Sequence, residues 1–293
     1  MSGFSKRLAR RVLGKLGEYF YKETLLKNRS GSRIAQLALS HHYKSLAGGG
    51  SSLPRFSDVG FREFSEFEED GILLYLFSLI PPHTRTCLEM CAGHGMECNT
   101  TNLIVNHGWW GHLFDGSEQN VLLGRDFFSR HRDTFLYPPR FSHAWITAEN
   151  VNALVQTSGL SGRIDLFSLD MDGMDYWVWK AMNAVDPTVV VCEINNAIPP
   201  DEALTVPYES KFVAPDGDYR GASLKAMCHL AKEKGYRLVG THRFGFNAFF
   251  VKQGVAEELL PAISPTSCAD DPFTKLARDT RWQGMKHKPW TRV

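Results

Sequence analysis

The sequence predicts an α/β fold, a mostly parallel sheet with helices on both faces, closed late in the chain by an antiparallel β-hairpin. Three observations predict it. Apolar runs at 86–90, 112–115, 143–146, 165–170 and 189–193 alternate with helical patterns that begin near Cys98, Ser117, Asn150 and Tyr176, the rhythm of strands joined by crossover helices. Carboxylates stand at or near the ends of four of these runs, at Glu89, Asp115, Asp170 and Glu193, where parallel strands open onto a ligand crevice. The runs 236–241 and 247–252 are separated only by a short turn, so they pair antiparallel and bring the expected sheet to seven strands.

In chain order, residues 5–20 place Leu8, Val12, Leu13, Leu16 and Phe20 at helical spacing, with Lys6, Arg7, Arg10, Arg11 and Lys15 on the remaining face. Such a helix lies on an anionic membrane or packs on protein; the absence of a Trp-rich edge favours packing on its own domain or a partner subunit. A second helix is expected over 34–46, followed by the joint Ala47-Gly48-Gly49-Gly50-Ser51-Ser52. These elements make 1–53 a helical N-terminal arm and joint, 54–260 the core domain, and 261–293 a tail packed on the domain or on a partner subunit. The core opens with Glu68-Glu69-Asp70-Gly71 before an apolar helix over 72–80 and Pro81-Pro82; acidic residues there serve the helix dipole unless another role claims them. A helix over 223–235 ends on Gly235, a C-cap residue, before the hairpin.

The chain has 293 residues, 43% hydrophobic and 22% charged, with 33 Lys+Arg against 32 Asp+Glu. That balance gives no electrostatic footprint for nucleic acid. The longest apolar run falls well short of the ~20 residues a membrane span needs, and no secretory leader pattern is present. The six cysteines fit no paired zinc spacing, and Cys87 and Cys192 sit inside apolar runs. Reduced thiols and a cytoplasmic location are therefore expected.

The segment Cys91-Ala92-Gly93-His94-Gly95 reads as a glycine turn between the first strand and a helix, with Asp115 about 20 residues further on. This is the pattern of a site for a nucleoside-bearing cofactor, the acidic residue taking the ribose hydroxyls. Cys91 with His94 is read as loop packing rather than as nucleophile and base.

Over 64–252 the sequence resembles the class I S-adenosylmethionine-dependent methyltransferases, and within them the FkbM-like branch. The resemblance is carried by Glu-x-Cys-Ala-Gly-His-Gly at 89–95 and by longer matches. These are Phe-Ser-x-x-x-Glu-Asp-Gly-Ile at 64–72, Glu-Cys-Asn-Thr at 97–100, Gly-Trp-x-Gly-x-Leu-x-Asp-Gly at 108–116, Ile-Thr-Ala-Glu-Asn-Val-Asn at 146–152, Ser-Leu-Asp-Met-Asp-Gly-x-Asp-Tyr-Trp at 168–177 and Gly-Ala-Ser-Leu at 221–224. It implies a Rossmann-like class I methyltransferase fold and S-adenosylmethionine as cofactor. By position it implies that Glu89, Gly93 and Gly95 hold the methionine end, Asp115 the ribose, and Ala148 and Glu149 the adenine edge, with Glu69 and Asp170 also on the cofactor side. Glu149 serves equally well as a helix N-terminal charge. Two positions depart from the pattern: Cys91 stands where the turn usually has glycine, and Glu66 where relatives often carry Gln.

Methyl transfer to an alcohol needs an aligned acceptor and a proton acceptor or metal. Asp172 and His242 are the candidate catalytic residues, with His94 and His143 also near predicted strand ends. Asp170, Glu193 and Asn195 offer an all-oxygen donor set suited to Mg²⁺ or Mn²⁺; alternatively Asp172 and Asp175 form a turn and helix cap. The long connection 194–220, with its prolines and aromatics, is expected to be the substrate lid. The expected activity is O-methylation of a small-molecule hydroxyl or carboxylate, on a sugar, secondary metabolite or organic acid. The alternatives are a nicotinamide-dependent oxidoreductase and a non-catalytic cofactor-binding protein. A homodimer through the N-terminal arm or the tail is compatible with either segment.

Overall fold

A computed structural model describes residues 30–293 of the protein, so the basic helix expected at 5–20 lies outside the described residues. Nine strands are defined: β1 (Thr86–Met90), β2 (Trp110–Asp115), β3 (Arg140–His143), β4 (Gly162–Leu169), β5 (Val185–Glu193), β6 (Leu204–Thr205), β7 (Tyr236–Thr241), β8 (Asn247–Lys252) and β9 (Thr291–Arg292). Seven of them form one sheet in the order β3-β2-β1-β4-β5-β8-β7. The first five of these by sequence run parallel, and β8 lies antiparallel between β5 and β7. The expected fold class, including the closing hairpin, is the observed one. Because β1 is flanked by β2 on one side and β4 on the other, the chain reverses its direction of travel there and opens a crevice at the carboxyl ends.

The apolar pattern explains the layering. Val189, Val190, Val191 and Cys192 are all fully buried, as an interior strand covered on both faces requires. One core lies on each face: Ile72, Leu103, Phe127 and Phe249 on one, Phe114, Val155, Trp179 and Phe250 on the other. Helix α1 (Ser30–Gly48) runs longer than the expected 34–46 and sets Tyr43 edge-on to Tyr75, with ring centres 5.0 Å apart. Past the short α2 (Phe56–Val59), α3 (Glu69–Leu79) is buried along its whole length, which fits a helix apolar on every side. Helix α4 (Thr101–His107) starts later than Cys98, because residues 97–100 are spent on the loop described below. Helix α5 (Glu118–Arg130) is capped by the Ser117 hydroxyl, which accepts the Asn120 N–H; α6 (Val151–Thr157) and α7 (Asp175–Ala181) follow, and Ser223 caps α8 (Leu224–Glu233) in the same manner.

Strand β3 is displaced from the expected 143–146. Its pairing with β2 ends at His143 beside Asp115, and Trp145 instead donates its indole N–H to the Ser210 carbonyl at 2.8 Å. An apolar run there signals contact with a loop, not strand. The tail also adds order that the sequence did not show. β9 pairs with β6, Val293 donates its N–H to the Ala203 carbonyl at 3.2 Å, and Trp290 stacks edge-on against Tyr219 at 4.7 Å. The long 194–220 connection is thereby braced by residues of the same chain. No helix of the described residues is long and apolar enough to cross a membrane. All six cysteines are free.

Away from the crevice, Asp165 is 1% exposed and accepts backbone N–H bonds from His83, Thr84 and Arg85 at 2.7, 2.7 and 2.6 Å. It fixes the entry to β1 against β4. Asp165→Ala would strand three donors, so a stability loss of about 3 kcal/mol is expected in urea denaturation. Asp165→Asn, which keeps one acceptor oxygen, is expected to lose less.

Candidate active site

After Met90 the chain turns through Cys91, Gly93 and Gly95, whose φ angles of 62°, 55° and 71° are all left-handed. Two carboxylates hold the loop. Asp115, at the end of β2, accepts the Gly93 N–H at 2.8 Å on one oxygen, and the Ser117 N–H at 2.8 Å and the Asn120 amide at 3.0 Å on the other. Glu89, 2% exposed, accepts the N–H groups of Asn99 and Thr100, each at 2.9 Å, and the Ser168 hydroxyl at 3.3 Å. Burial raises its carboxyl above the usual range, while these donors oppose the shift. A Cβ on Gly95 would lie 2.9 Å from the Phe128 ring, whereas one on Gly93 would meet nothing within 4 Å. Gly93 therefore exposes bare backbone beside open space. Cys91 takes a glycine-like conformation with a side chain attached, at a cost on the order of 1–2 kcal/mol. Burial, reinforced by Asp175 and Asp115, pushes its thiol well above the ordinary range, so it is neither thiolate nor nucleophile.

The loop faces a crevice of about 300 Å³ lined by Glu66, Glu89, Glu97, Asp115, Asp170 and Asp172, with no basic residue in its lining. On its β4 side, Asp175 accepts the N–H groups of Met171 and Gly173 at 3.0 and 3.2 Å and so closes the turn before α7. Asp172, at φ 56°, donates its N–H to Glu193 at 2.8 Å and is ion-paired with Arg220. Burial and the neighbouring Asp175 and Asp172 push Asp170 well above the carboxylate range; burial followed by Asp170 does the same to Glu193. The structure thus brings Glu89, Gly93, Asp115, Asp170 and Asp172 to one crevice.

Other expected residues lie elsewhere. Glu69 is fully buried outside the crevice lining; it accepts the Phe67 N–H and the Asn247 amide, both at 3.0 Å. Expected on the cofactor side, Glu69 is placed behind the crevice, where it ties α3 to the start of β8. His242, expected as a candidate base, is enclosed in the hairpin and absent from the crevice lining. It is 0% exposed, stacked on Phe67 at 5.4 Å; its Nδ1 accepts the Phe244 N–H at 3.2 Å, and its Nε2, 3.3 Å from a Glu69 oxygen, faces a carboxylate acceptor. Burial lowers its pKa. Its position at the turn of the hairpin suggested access, but the aromatic cluster of Phe67, Phe244 and Phe246 closes over it.

Asn195 turns away from the carboxylates, its amide donating to the carbonyls of Asp218 and Arg220 at 2.8 and 2.9 Å and its oxygen accepting the Ala197 N–H. Among the described residues no three His, Cys, Asp or Glu side chains gather as a metal site. Ala148 and Glu149 also stand outside the crevice lining: the Ala148 N–H donates to the Tyr208 hydroxyl at 3.2 Å, and that hydroxyl donates to Glu149. They clasp the tip of the long connection.

Sequence reasoning missed Arg220 and Asn247. The second was within reach, since an antiparallel β8 must begin where parallel β5 ends, and Asn247 pairs with Glu193. A larger cavity of about 510 Å³ lies beside β7. It is walled largely by apolar side chains, and its Arg55 and Arg243 are already paired with Asp58 and Glu68.

No protein-family model matches the chain, and no curated protein matches it. Solved structures similar to it include magnesium protoporphyrin IX methyltransferase from Synechocystis PCC 6803 with bound S-adenosylmethionine, 11% identical at a TM-score of 0.40, over 85% of this chain and 97% of that one. The CcbJ methyltransferase from Streptomyces caelestis is 15% identical at 0.40, over 68% and 96% of the two chains. A TehB-like S-adenosylmethionine-dependent methyltransferase from Corynebacterium glutamicum is 11% identical at 0.38, over 75% and 99%.

The left-handed backbone at residue 91 gives a direct test. Cys91→Gly is expected to leave thermal stability unchanged or raise it by up to about 1 kcal/mol, because relieved strain is offset by glycine's freedom in the unfolded chain. Cys91→Val, branched at Cβ, is expected to lose about 2 kcal/mol in the same melts.

Proposed function

We propose that the chain transfers a methyl group from S-adenosylmethionine to a hydroxyl of a small molecule. The observation that carries this reading is the union of the left-handed loop after β1, its tie to Asp115, and a crevice lined by acids without a base. A cofactor bearing a sulfonium and an ammonium is favoured in such a field. The pyrophosphate of a nicotinamide dinucleotide would meet a lining that is rich in carboxyl groups and offers it no cation, which disfavours the oxidoreductase reading. Residues and cofactor fit. Asp115 spends one lone pair per oxygen or two on the loop and has acceptor capacity left for ribose hydroxyls, and Gly93 lets the ligand approach the backbone. The cofactor, when bound, supplies an electrophilic methyl group.

The chain's own residues would do the rest. The Asp170 carboxyl has no hydrogen-bond partner among the described residues and a raised pKa, which suits it to take the acceptor's hydroxyl proton. A carboxylate acceptor would meet the same lining as a phosphate, so the hydroxyl is the better assignment. Asn195 is committed elsewhere, and among the described residues no third His, Cys, Asp or Glu joins Asp170 and Glu193 as a metal site. Free thiols support a cytoplasmic setting.

Calorimetry with S-adenosylhomocysteine tests the cofactor assignment. Binding is expected, weakened at least about ten-fold by Asp115→Ala, and selective stabilisation by NAD would overturn it. The base assignment is read from pH, using an acceptor found by methyl transfer to cell-extract fractions. A base works ionised, so its raised pKa places the rising limb of kcat/KM above the ordinary carboxylate range. Asp170→Asn is expected to abolish that limb and lower kcat by roughly 10²–10⁴; a limb that survives the substitution would remove Asp170 from this role.

A further inference from the structure

Of the six carboxylates lining the crevice, four are matched. Glu89 and Asp115 are held by the N–H donors of the loop, Glu97 pairs with Arg62 at 2.9 Å, and Asp172 pairs with Arg220. The side chains of Asp170 and of the exposed Glu66 have no hydrogen-bond or ion-pair partner among the described residues. Beside them Asn247, 3% exposed, lines the crevice and keeps its amide oxygen buried without a donor. Glu69 joins the group from behind, accepting the Asn247 amide N–H and lying close enough to Glu66 to act on its charge. An orphaned buried acceptor next to two unpaired carboxylates is a place that lacks donors and positive charge. Position separates it from the ribose end. In the sheet order β8 stands three strands from β1, about 14 Å at ~4.8 Å per strand, whereas Asp115 closes β2 on the other side.

We propose that this end of the crevice is a subsite for a protonated amine of the methyl acceptor, so that the acceptor is an amino-bearing hydroxyl compound. The inference rests on the methyl-transfer reading above. The ammonium group donates to Glu66 and to the Asn247 oxygen, and thereby sets the neighbouring hydroxyl against Asp170. Neutral sugars and organic acids lack the donor charge that the subsite demands.

The test uses the full chain and calorimetry with four probes. One is S-adenosylhomocysteine; the others are its analogues in which nitrogen replaces sulfur and carries a 2-aminoethyl, 2-hydroxyethyl or carboxymethyl arm. The aminoethyl probe is expected to bind at least ten-fold tighter than the hydroxyethyl probe, with the carboxymethyl probe weakest. Asn247→Leu and Glu66→Gln are each expected to cut that preference below three-fold, the ratio between the arms being read within each variant. Should Asn247→Leu fail to fold, Glu66→Gln, at an exposed position, decides alone.

Equal affinity for the amino and hydroxy arms, or a preference that survives Glu66→Gln, overturns the subsite. If Glu66→Gln weakens S-adenosylhomocysteine but not its desamino analogue, the subsite serves the cofactor's own ammonium, and the acceptor assignment falls. Absence of any binding by S-adenosylhomocysteine removes the methyl-transfer reading, and this inference with it.

Discussion

Two carboxylates grip the loop that follows β1, and the rest of the site depends on that grip. Glu89 takes the N–H groups at the loop's far end and Asp115 takes the one at Gly93. The loop has almost no regular structure of its own, so without acceptors its buried N–H groups would oppose folding. With them, left-handed residues are held where they leave backbone exposed to the crevice. The side chains that read as ligand contacts are therefore also the scaffold. Their burial is tolerable because each carboxylate is surrounded by donors, the condition under which a buried charge persists.

The opposite wall is built differently. Asp170, Asp172, Asp175 and Glu193 crowd together, and burial and mutual repulsion push Asp170 and Glu193 upward. Asp175 offsets part of the cost by closing the turn before α7, and Arg220 by pairing with Asp172. Arg220 comes from the connection that the tail braces. Arg281 reaches Asp218 at 2.9 Å and Tyr219 donates to the Pro289 carbonyl at 2.7 Å, so the charge balance of the crevice is tied to the packing of the last residues. The connection expected to be the substrate lid is, at its base, part of the wall.

Most of the fold was legible in the sequence because apolar runs and helical periods report burial directly. β1, β7 and β8 were found to the residue, and each is bounded by turn chemistry. β3 was misplaced because Ala144-Trp145-Ile146 is apolar for a reason other than pairing. The β6–β9 pair was invisible, since strands of two residues have no period and their partners lie far apart in the chain. The loop-side residues Glu89, Gly93 and Asp115 were legible from local spacing. Glu69, His242 and Asn195 were not, because their roles are fixed by what the hairpin and the tail bring to them. Asn247 and Glu69 meet across 178 positions, a distance over which local pattern carries no information.

The antiparallel insertion of β8 has a consequence for how the chain reaches its native state. β5 is among the most apolar strands of the sheet, and its outer edge is covered only when β8 arrives, about sixty residues later in synthesis. Until then a row of unpaired N–H and C=O groups flanked by valines is open to any other strand. Pairing of this range is slow relative to the helices around it. The step that seals the edge is the same step that delivers Asn247 to the crevice. A nascent chain that has not yet reached β8 therefore has the β5 edge open and lacks Asn247 at the crevice.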